Sequence, residues 1–326
     1  MNQHMLGSLW PVSSLTLGGG GLGQLWGPTD RSEAIATVQA AVAGGINLID
    51  LAPGYGRGEA EAVVGAAFAG RLPPGVRVTT KCQLGTVPAD AVADTLRRRL
   101  ERSLETLRLS RVDLLFLHSN IIPDDYRFPR DADTQAGFAT TFLLYRDAVI
   151  PAFDALQSEG LIGAWGITGI GLPETIIDAL ALPVRPAVIQ CIANCLDSAG
   201  AIRRFDEPAR PRDIIAAAQA AGVGVLGIRA VQAGALTDAI DRPLPDDHPE
   251  VLDYRRAAPL RALAARLGMG TARLAHRYAL SIAGIDSVVL GVKNREELED
   301  CLAAAAEGPL DAALVAEVDA LFAPKS

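Results

Sequence analysis

Ile46-Asn-Leu-Ile-Asp50-Leu-Ala-Pro-Gly-Tyr55-Gly-Arg-Gly-Glu59 holds one complete structural unit in a single stretch. An apolar run ends on a carboxylate, a Pro-Gly turn presents a tyrosine, and a helical pattern resumes near Glu59. The same unit recurs along the chain. Short apolar runs at Leu15–Leu17, Ile46–Asp50, Val76–Lys81, Val112–His118, Ile162–Thr168, Ala187–Cys191, Gly224–Ile228 and Ser287–Leu290 read as strands. Helices are expected to begin near Ser32, Glu59, Asp90, Arg146, Pro173, Pro211, Thr271 and Asn294. Asp30-x-x-Glu33 has capping-box spacing before the first of these, and Pro211-Arg-Asp opens another. From Asp90 to Leu107 the apolar positions Val92, Leu96, Leu100, Leu104 and Leu107 recur every three or four residues, so this helix buries one face.

Strict alternation of strand and helix predicts a parallel sheet with helices outside it. An open doubly wound sheet and a closed barrel compete at this length, and eight units favour the closed (β/α)8 TIM barrel, one domain spanning 1–326. In such a barrel, chemistry comes from the C-terminal ends of several strands. Two connections are long, Ser119–Tyr145 and Arg229–Arg256. Both follow strands on the presumed active face and read as walls of the substrate and cofactor sites.

Composition narrows the function class. The 326 residues are 49% hydrophobic and 21% charged, enough for a large core and too apolar for disorder. A net charge of −8 argues against a nucleic-acid partner, whose phosphates need a basic face. No uncharged apolar stretch reaches the ~18 residues of a membrane span, so no membrane partner is expected. The start, MNQHMLGSLWP, has no basic segment followed by an apolar run, and Cys82, Cys191, Cys195 and Cys301 read as reduced thiols, giving a cytoplasmic expectation.

Gly18-x-Gly20-x-x-Gly23 formally matches the dinucleotide fingerprint. That fingerprint requires the glycines to open straight into a helix that holds a pyrophosphate. Here Gln24-Leu-Trp-Gly-Pro intervenes, and the stretch reads as a flexible loop at a strand end.

The informative polar residues stand at three consecutive strand ends: Asp50 with Tyr55 just beyond it, Lys81, and His118. Only three of the 30 basic residues are lysines, namely Lys81, Lys293 and Lys325. Against that arginine bias, a lysine at a buried strand end suggests a need for a compact charge whose pKa responds to its surroundings. Burying it requires a facing carboxylate, and Asp50 is the neighbour. A cation beside Tyr55 stabilises the phenolate and makes the phenol a usable proton donor. His118 would orient a carbonyl oxygen, and a cofactor would supply the hydride.

Asn47-x-x-Asp50-x-Ala52-x-x-Tyr55-Gly, the strand-end Lys81 and Leu117-His118 resemble the Asp-Tyr-Lys-His tetrad of the aldo-keto reductases. Gly163-x-x-Gly166-Ile-Thr168, Val188-Ile-Gln190 and Gly291-Val-Lys293-Asn294 follow in the family's order, from about Leu15 to Leu302. The resemblance implies a nicotinamide-linked interconversion of an aldehyde or ketone with an alcohol, acting on a small carbonyl or sugar substrate, in a monomer or homodimer. It implies catalytic roles for Asp50, Tyr55, Lys81 and His118, and cofactor contacts at Thr168, Gln190, Gly291, Lys293, Asn294 and Glu297. Gln190 would meet the nicotinamide carboxamide. Asn294 and Glu297 have capping-box spacing, and a helix start flanked by Lys293 and Arg295 is an anion site suited to the 2′-phosphate of NADP(H).

The chain departs from the family in Thr168-Gly169, in Ile228-Arg229 where an aromatic often stacks, in Asp300-Cys301, and in Glu297 where arginine is frequent. A carboxylate there works against a 2′-phosphate, so NAD(H) is the second expectation. Gly-Tyr55-Gly-x-Gly-Glu-Ala-Glu resembles the bacterial aldose dehydrogenases, which makes an NAD-linked sugar dehydrogenase the nearest alternative. From other classes, Lys81 as the Schiff-base residue of a barrel aldolase and a cofactor-binding regulatory subunit remain. Trp26, Tyr126 and Phe128, with Phe142, are pocket-wall candidates; Arg229 would hold a carboxylate or phosphate, or be salt-bridged.

Overall fold

In the computed structural model, which describes residues 1–129 and 132–323, every expected strand joins one closed parallel barrel in chain order. The strands are β1 (Leu15–Gly18), β2 (Leu48–Asp50), β3 (Arg77–Cys82), β4 (Val112–Leu117), β5 (Ile162–Thr168), β6 (Val188–Ile192), β7 (Gly224–Ile228) and β8 (Ser287–Leu290). The ring closes through Val288 beside Leu15 and Leu290 beside Leu17. The helices that follow them are α1 (Arg31–Ala43), α2 (Glu59–Ala67), α3 (Val92–Leu107), α4 (Ile150–Ser158), α5 (Pro173–Ala181), α6 (Pro211–Ala220), α7 (Thr271–Ser281) and α8 (Arg295–Glu307). Two further helices, Pro249–Arg256 and Ala258–Arg266, lie between β7 and α7, and Ala312–Phe322 follows α8.

The barrel interior is filled, as its size requires. Leu48, Leu114, Phe116, Ala164, Val188 and Leu226 meet inside it, and Leu6 and Val12 close the N-terminal end. Those two come from a hairpin, Gln3–Met5 against Pro11–Ser13, that the reading of the sequence left out. The bottom is therefore sealed by apolar side chains. On α3, Val92, Leu96, Leu100, Leu104 and Leu107 are all buried, each worth roughly 1.5–3 kcal/mol against exposure. α3 opens through a 3-10 turn at Ala89–Ala91. α4, expected from Arg146, is entered through a wider turn, Tyr145–Val149, because Pro151 has no N–H for the regular ladder.

The glycine-rich stretch is not a flexible loop. Gly19–Leu22 form a buried helical turn. A Cβ on Gly21 would stand 2.0 Å from the Val292 carbonyl oxygen, and one on Gly18 would stand 2.1 Å from that of Leu290. The glycines are there so that the β1 exit can press against the β8 exit, backbone on backbone. The long connections have structure of their own. Within 119–145, Asn120–Ile122 pairs with Ala139–Thr141, with helix Ala132–Phe138 beside them. A third structured connection, 193–210, rises from β6 and had not been expected as a wall. No helix among the described residues is long and apolar enough to cross a membrane. All four cysteines are free and buried.

Candidate active site

Asp50 is the last residue of β2, and Lys81 sits one strand over on β3, their side chains pointing into the top of the barrel. The Lys81 ammonium donates to Asp50 Oδ2 at 2.6 Å and to the Leu51 carbonyl at 2.9 Å. The other carboxylate oxygen, Oδ1, accepts from Thr79 Oγ1 at 2.7 Å and from Gln190 Nε2 at 2.7 Å. Asp50 and Lys81 are 2% and 1% exposed, so the pair is taken fully out of water. Such a pair persists because every remaining acceptor is used.

Tyr55 arrives from the Pro-Gly turn and lays its ring 4.8 Å from the Lys81 ammonium. His118, one residue past β4, meets that ring edge-on, with centroids 6.1 Å apart and planes at 86°. Burial alone would discharge Lys81, yet the Asp50 carboxylate and Tyr55 outweigh it and hold its pKa above the ordinary value. Burial lifts the Tyr55 phenol above its ordinary value, Lys81 pulling against that and Asp50 adding to it. His118 is lowered to about 3 by burial, then by the charges of Lys81 and Arg204. The site thus holds a protonated phenol, a charged lysine and a neutral imidazole, a set chemically able to give a proton to an oxygen held by hydrogen bond. A charged Lys81 is a poor imine nucleophile, which counts against the Schiff-base alternative.

Thr168, at the end of β5, donates to the Leu117 carbonyl at 2.8 Å, and Gln190 is drawn into the Asp50 cluster. At the opposite rim, Asn294 caps α8 by accepting from the Glu297 N–H at 2.9 Å. Glu297 reaches back to the Lys293 N–H at 2.8 Å and to its ammonium at 2.9 Å. Lys293 also pairs with Asp241 from the connection after β7. Burial works against its charge, but Asp241 and Glu297 hold its pKa above the ordinary value. Glu33 of α1, 262 residues away in sequence, accepts the Arg295 N–H at 2.9 Å and takes its guanidinium at 2.9 Å. Its hydrogen bond to Arg295 holds its pKa below the ordinary value. The Asp30 carboxylate accepts the Glu33 N–H at 2.8 Å, so the expected capping box is half formed, Glu33 having been diverted to α8. The two cations read as a free anion site are thus matched by three carboxylates.

Gly291 lies under the Trp26 indole, and a Cβ there would stand 3.1 Å from its nitrogen. The Arg242 guanidinium is 5.6 Å from that ring's centre, so Trp26 belongs to the Lys293 rim. Tyr126 ties two walls together through its hydroxyl to Glu207 at 2.8 Å. Phe128 is buried against Ile122 and Ala139, and Phe142 leans on Tyr145. Arg229 is salt-bridged, to Glu250 at 2.7 Å, with a further bond to Gln232 at 2.7 Å. Lys325 lies outside the described residues. Sequence reading missed Glu33, Asp241, Arg242 and Arg204, since each acts on a partner remote in the chain.

The model of the aldo/keto reductase family matches residues 14–323. L-galactose dehydrogenase of Arabidopsis thaliana is 27% identical over 319 residues, covering 96% of this chain and 91% of the relative. D-threo-aldose 1-dehydrogenase of a Pseudomonas species is 27% identical over 252 residues, 70% and 68% of the two chains. Among solved structures, an aldo-keto reductase of Bacillus halodurans in its holo form superposes with a TM-score of 0.74 at 24% identity, over 98% and 96% of the two chains.

Proposed function

The chain belongs to the aldo/keto reductase family, and from that premise we propose that it is an NAD(H)-linked oxidoreductase interconverting an aldehyde or ketone, of the aldose type, with the alcohol. The observation that carries the reading is the buried Asp50–Lys81 pair under the Tyr55 ring. The nicotinamide, when bound, supplies or accepts the hydride.

Everything else is the work of the chain's own groups. Tyr55 keeps its proton at neutral pH, because burial raises its pKa, and so is in the donor form for reduction. Giving that proton to the substrate oxygen leaves a phenolate, which the Lys81 ammonium stabilises at short range. Asp50 keeps the ammonium charged. His118, neutral because its pKa is lowered to about 3, orients the oxygen by hydrogen bond without competing as an acid. In the oxidative direction the same phenol must first lose its proton, so alkaline pH favours it.

The choice of dinucleotide is read from the start of α8. A 2′-phosphate would be placed against Glu33 and Glu297, whose carboxylates already accept the Arg295 and Lys293 N–H groups. Like charges at that range cost affinity, whereas a ribose diol can donate to the same carboxylates. The donor set therefore fits NAD(H) better than NADP(H). The names of the plant and bacterial relatives support an aldose as the substrate.

Titration of the protein with NADH and with NADPH, followed by quenching of its tryptophans, tests the reading. Tighter binding of NADH by about tenfold or more is expected, about 1.4 kcal/mol. Tighter NADPH binding would reverse the assignment at α8. Binding of neither would remove the redox reading.

A further inference from the structure

Gln83 follows β3 directly, as His118 follows β4, and the two strands are paired with Lys81 opposite Phe116. The ladder runs on past both strand ends, since the His118 N–H donates to the Cys82 carbonyl at 2.8 Å. Side chains alternate along each strand. Thr79 and Lys81 both reach Asp50 inside the barrel, and Phe116 packs in its interior. Two residues further on, Gln83 and His118 therefore stand side by side on the inward face, about 4.8 Å apart at the strand spacing. The half-buried Gln83 carboxamide is held from one side only. Its nitrogen donates to the Gly137 carbonyl at 3.2 Å and to Ser119 Oγ at 3.4 Å, and that hydroxyl accepts the Gly85 N–H at 2.8 Å. A carbonyl can only accept, so the nitrogen faces Gly137 and the oxygen Oε1 faces away from it. Among the described residues nothing donates to Oε1, which leaves an open acceptor beside His118.

We propose that Gln83 is a specificity-determining residue of this site, its Oε1 accepting a hydrogen bond from a hydroxyl on the carbon next to the reacting carbonyl. The inference rests on the redox reading of the tetrad and names the substrate class for it: α-hydroxy aldehydes and ketones, sugars among them. Three physical points support it. His118 and Gln83 are lateral neighbours, so an oxygen adjacent to the one that His118 orients falls toward the Gln83 side chain. A neutral amide oxygen suits a hydroxyl, which brings a proton to donate, whereas a substrate carboxylate or phosphate brings none. The carboxamide is also preorganised by Gly137 and Ser119, so little ordering is left to the moment of binding. The acceptor at the centre, Asp50, is saturated by Lys81, Thr79 and Gln190 and does not serve this purpose.

The test uses a matched pair of aldehydes, 2-hydroxypropanal and propanal, reduced by the full-length enzyme with NADH. Each loss is taken as the ratio of wild type to variant on one aldehyde, so that differences in hydration cancel. Gln83→Met, close in size but without an amide, should lower kcat/KM for 2-hydroxypropanal about tenfold more than for propanal. Equal losses on the two aldehydes, or no loss on either, would overturn the proposal. The second measurement is saturation-transfer NMR of propane-1,2-diol and propan-1-ol with the protein saturated with NADH, where no turnover occurs. A preference for the diol that Gln83→Met removes supports the assignment, and equal transfer to both alcohols in the wild type overturns it. If neither aldehyde is reduced while the diol preference still depends on Gln83, the redox reading fails and the hydroxyl site stands. A folded variant is recognised by an unchanged melting midpoint.

Discussion

Two of the chain's rare lysines are paired with carboxylates, and the two settings have opposite consequences. At the barrel centre, Lys81 and Asp50 are 1% and 2% exposed, and the carboxylate is saturated by Thr79 and Gln190. At the α8 rim, Lys293 lies between Asp241 and Glu297, with their side chains 47% and 38% exposed. Coulomb attraction in the dry site is several times stronger than at the wet rim, and so is the cost of leaving one partner alone. The central pair is therefore a dry ion pair in which removing either partner strands a buried charge, and under the proposed function it is the electrostatic support of Tyr55. The rim cluster is a set of adjustable charges that decides what may approach.

The largest effect expected from breaking this contrast is at the centre. Lys81→Met should lower kcat by about 10³-fold, within the usual range for general-acid assistance, and destabilise the fold by about 3 kcal/mol through the orphaned Asp50. Steady-state rates and chemical denaturation read the two separately. A variant retaining more than a tenth of wild-type kcat would remove Lys81 from the proton-transfer machinery.

Next in size is the pH response. Tyr55 has its pKa raised in the folded protein, so the protonated form is present below that raised value and is lost only as pH passes upward through it. Reduction should hold across neutral pH and fall on the alkaline side, while oxidation should rise there. Tyr55→Phe should abolish both limbs. An oxidation rate that is flat from pH 7 to about pH 10, the ordinary range of a phenol, would show that another group carries the proton. His118 has its pKa lowered, so folding stability associated with its neutral form is present above its ordinary value and is lost as pH falls through the acid range toward about 3. The difference in melting midpoint between wild type and His118→Phe should be independent of pH above the ordinary histidine range and move against the wild type as pH falls.

At the rim, Glu33→Gln with Glu297→Gln removes two negative charges while keeping acceptors for the Arg295 and Lys293 N–H groups. The double variant should gain about tenfold in NADPH affinity relative to NADH, with the gain shrinking at high salt. Unchanged relative affinity would show that these carboxylates do not meet the adenosine ribose. The smallest effect is on the fold itself: Lys293→Ala should cost only about 0.5 kcal/mol in denaturant unfolding.

The barrel and its tetrad were legible because both are written locally. Each strand-to-helix unit carries its own apolar run and turn, and Asp50, Lys81 and His118 each end such a run. The same locality explains the errors. Gly18-x-Gly20-x-x-Gly23 looked loose because glycines have no side chains to pack, whereas the structure uses that bareness to seat one backbone on another. Lys293 and Arg295 looked like a free anion site because their neighbours in sequence leave them so. Their partners Asp241 and Glu33 come from other connections.

By itself, then, the sequence determined the order of elements, the closed sheet and the polar residues that meet at the strand ends, since periodicity and strand-end chemistry are properties of short segments. Tertiary structure alone decided how those charges are balanced: Gln190 on Asp50, and Glu33 and Asp241 at the α8 rim. The physical reason is range. Patterning acts over a few residues, but electrostatic balance and burial depend on which loops meet in space, and only barrel closure brings those loops together.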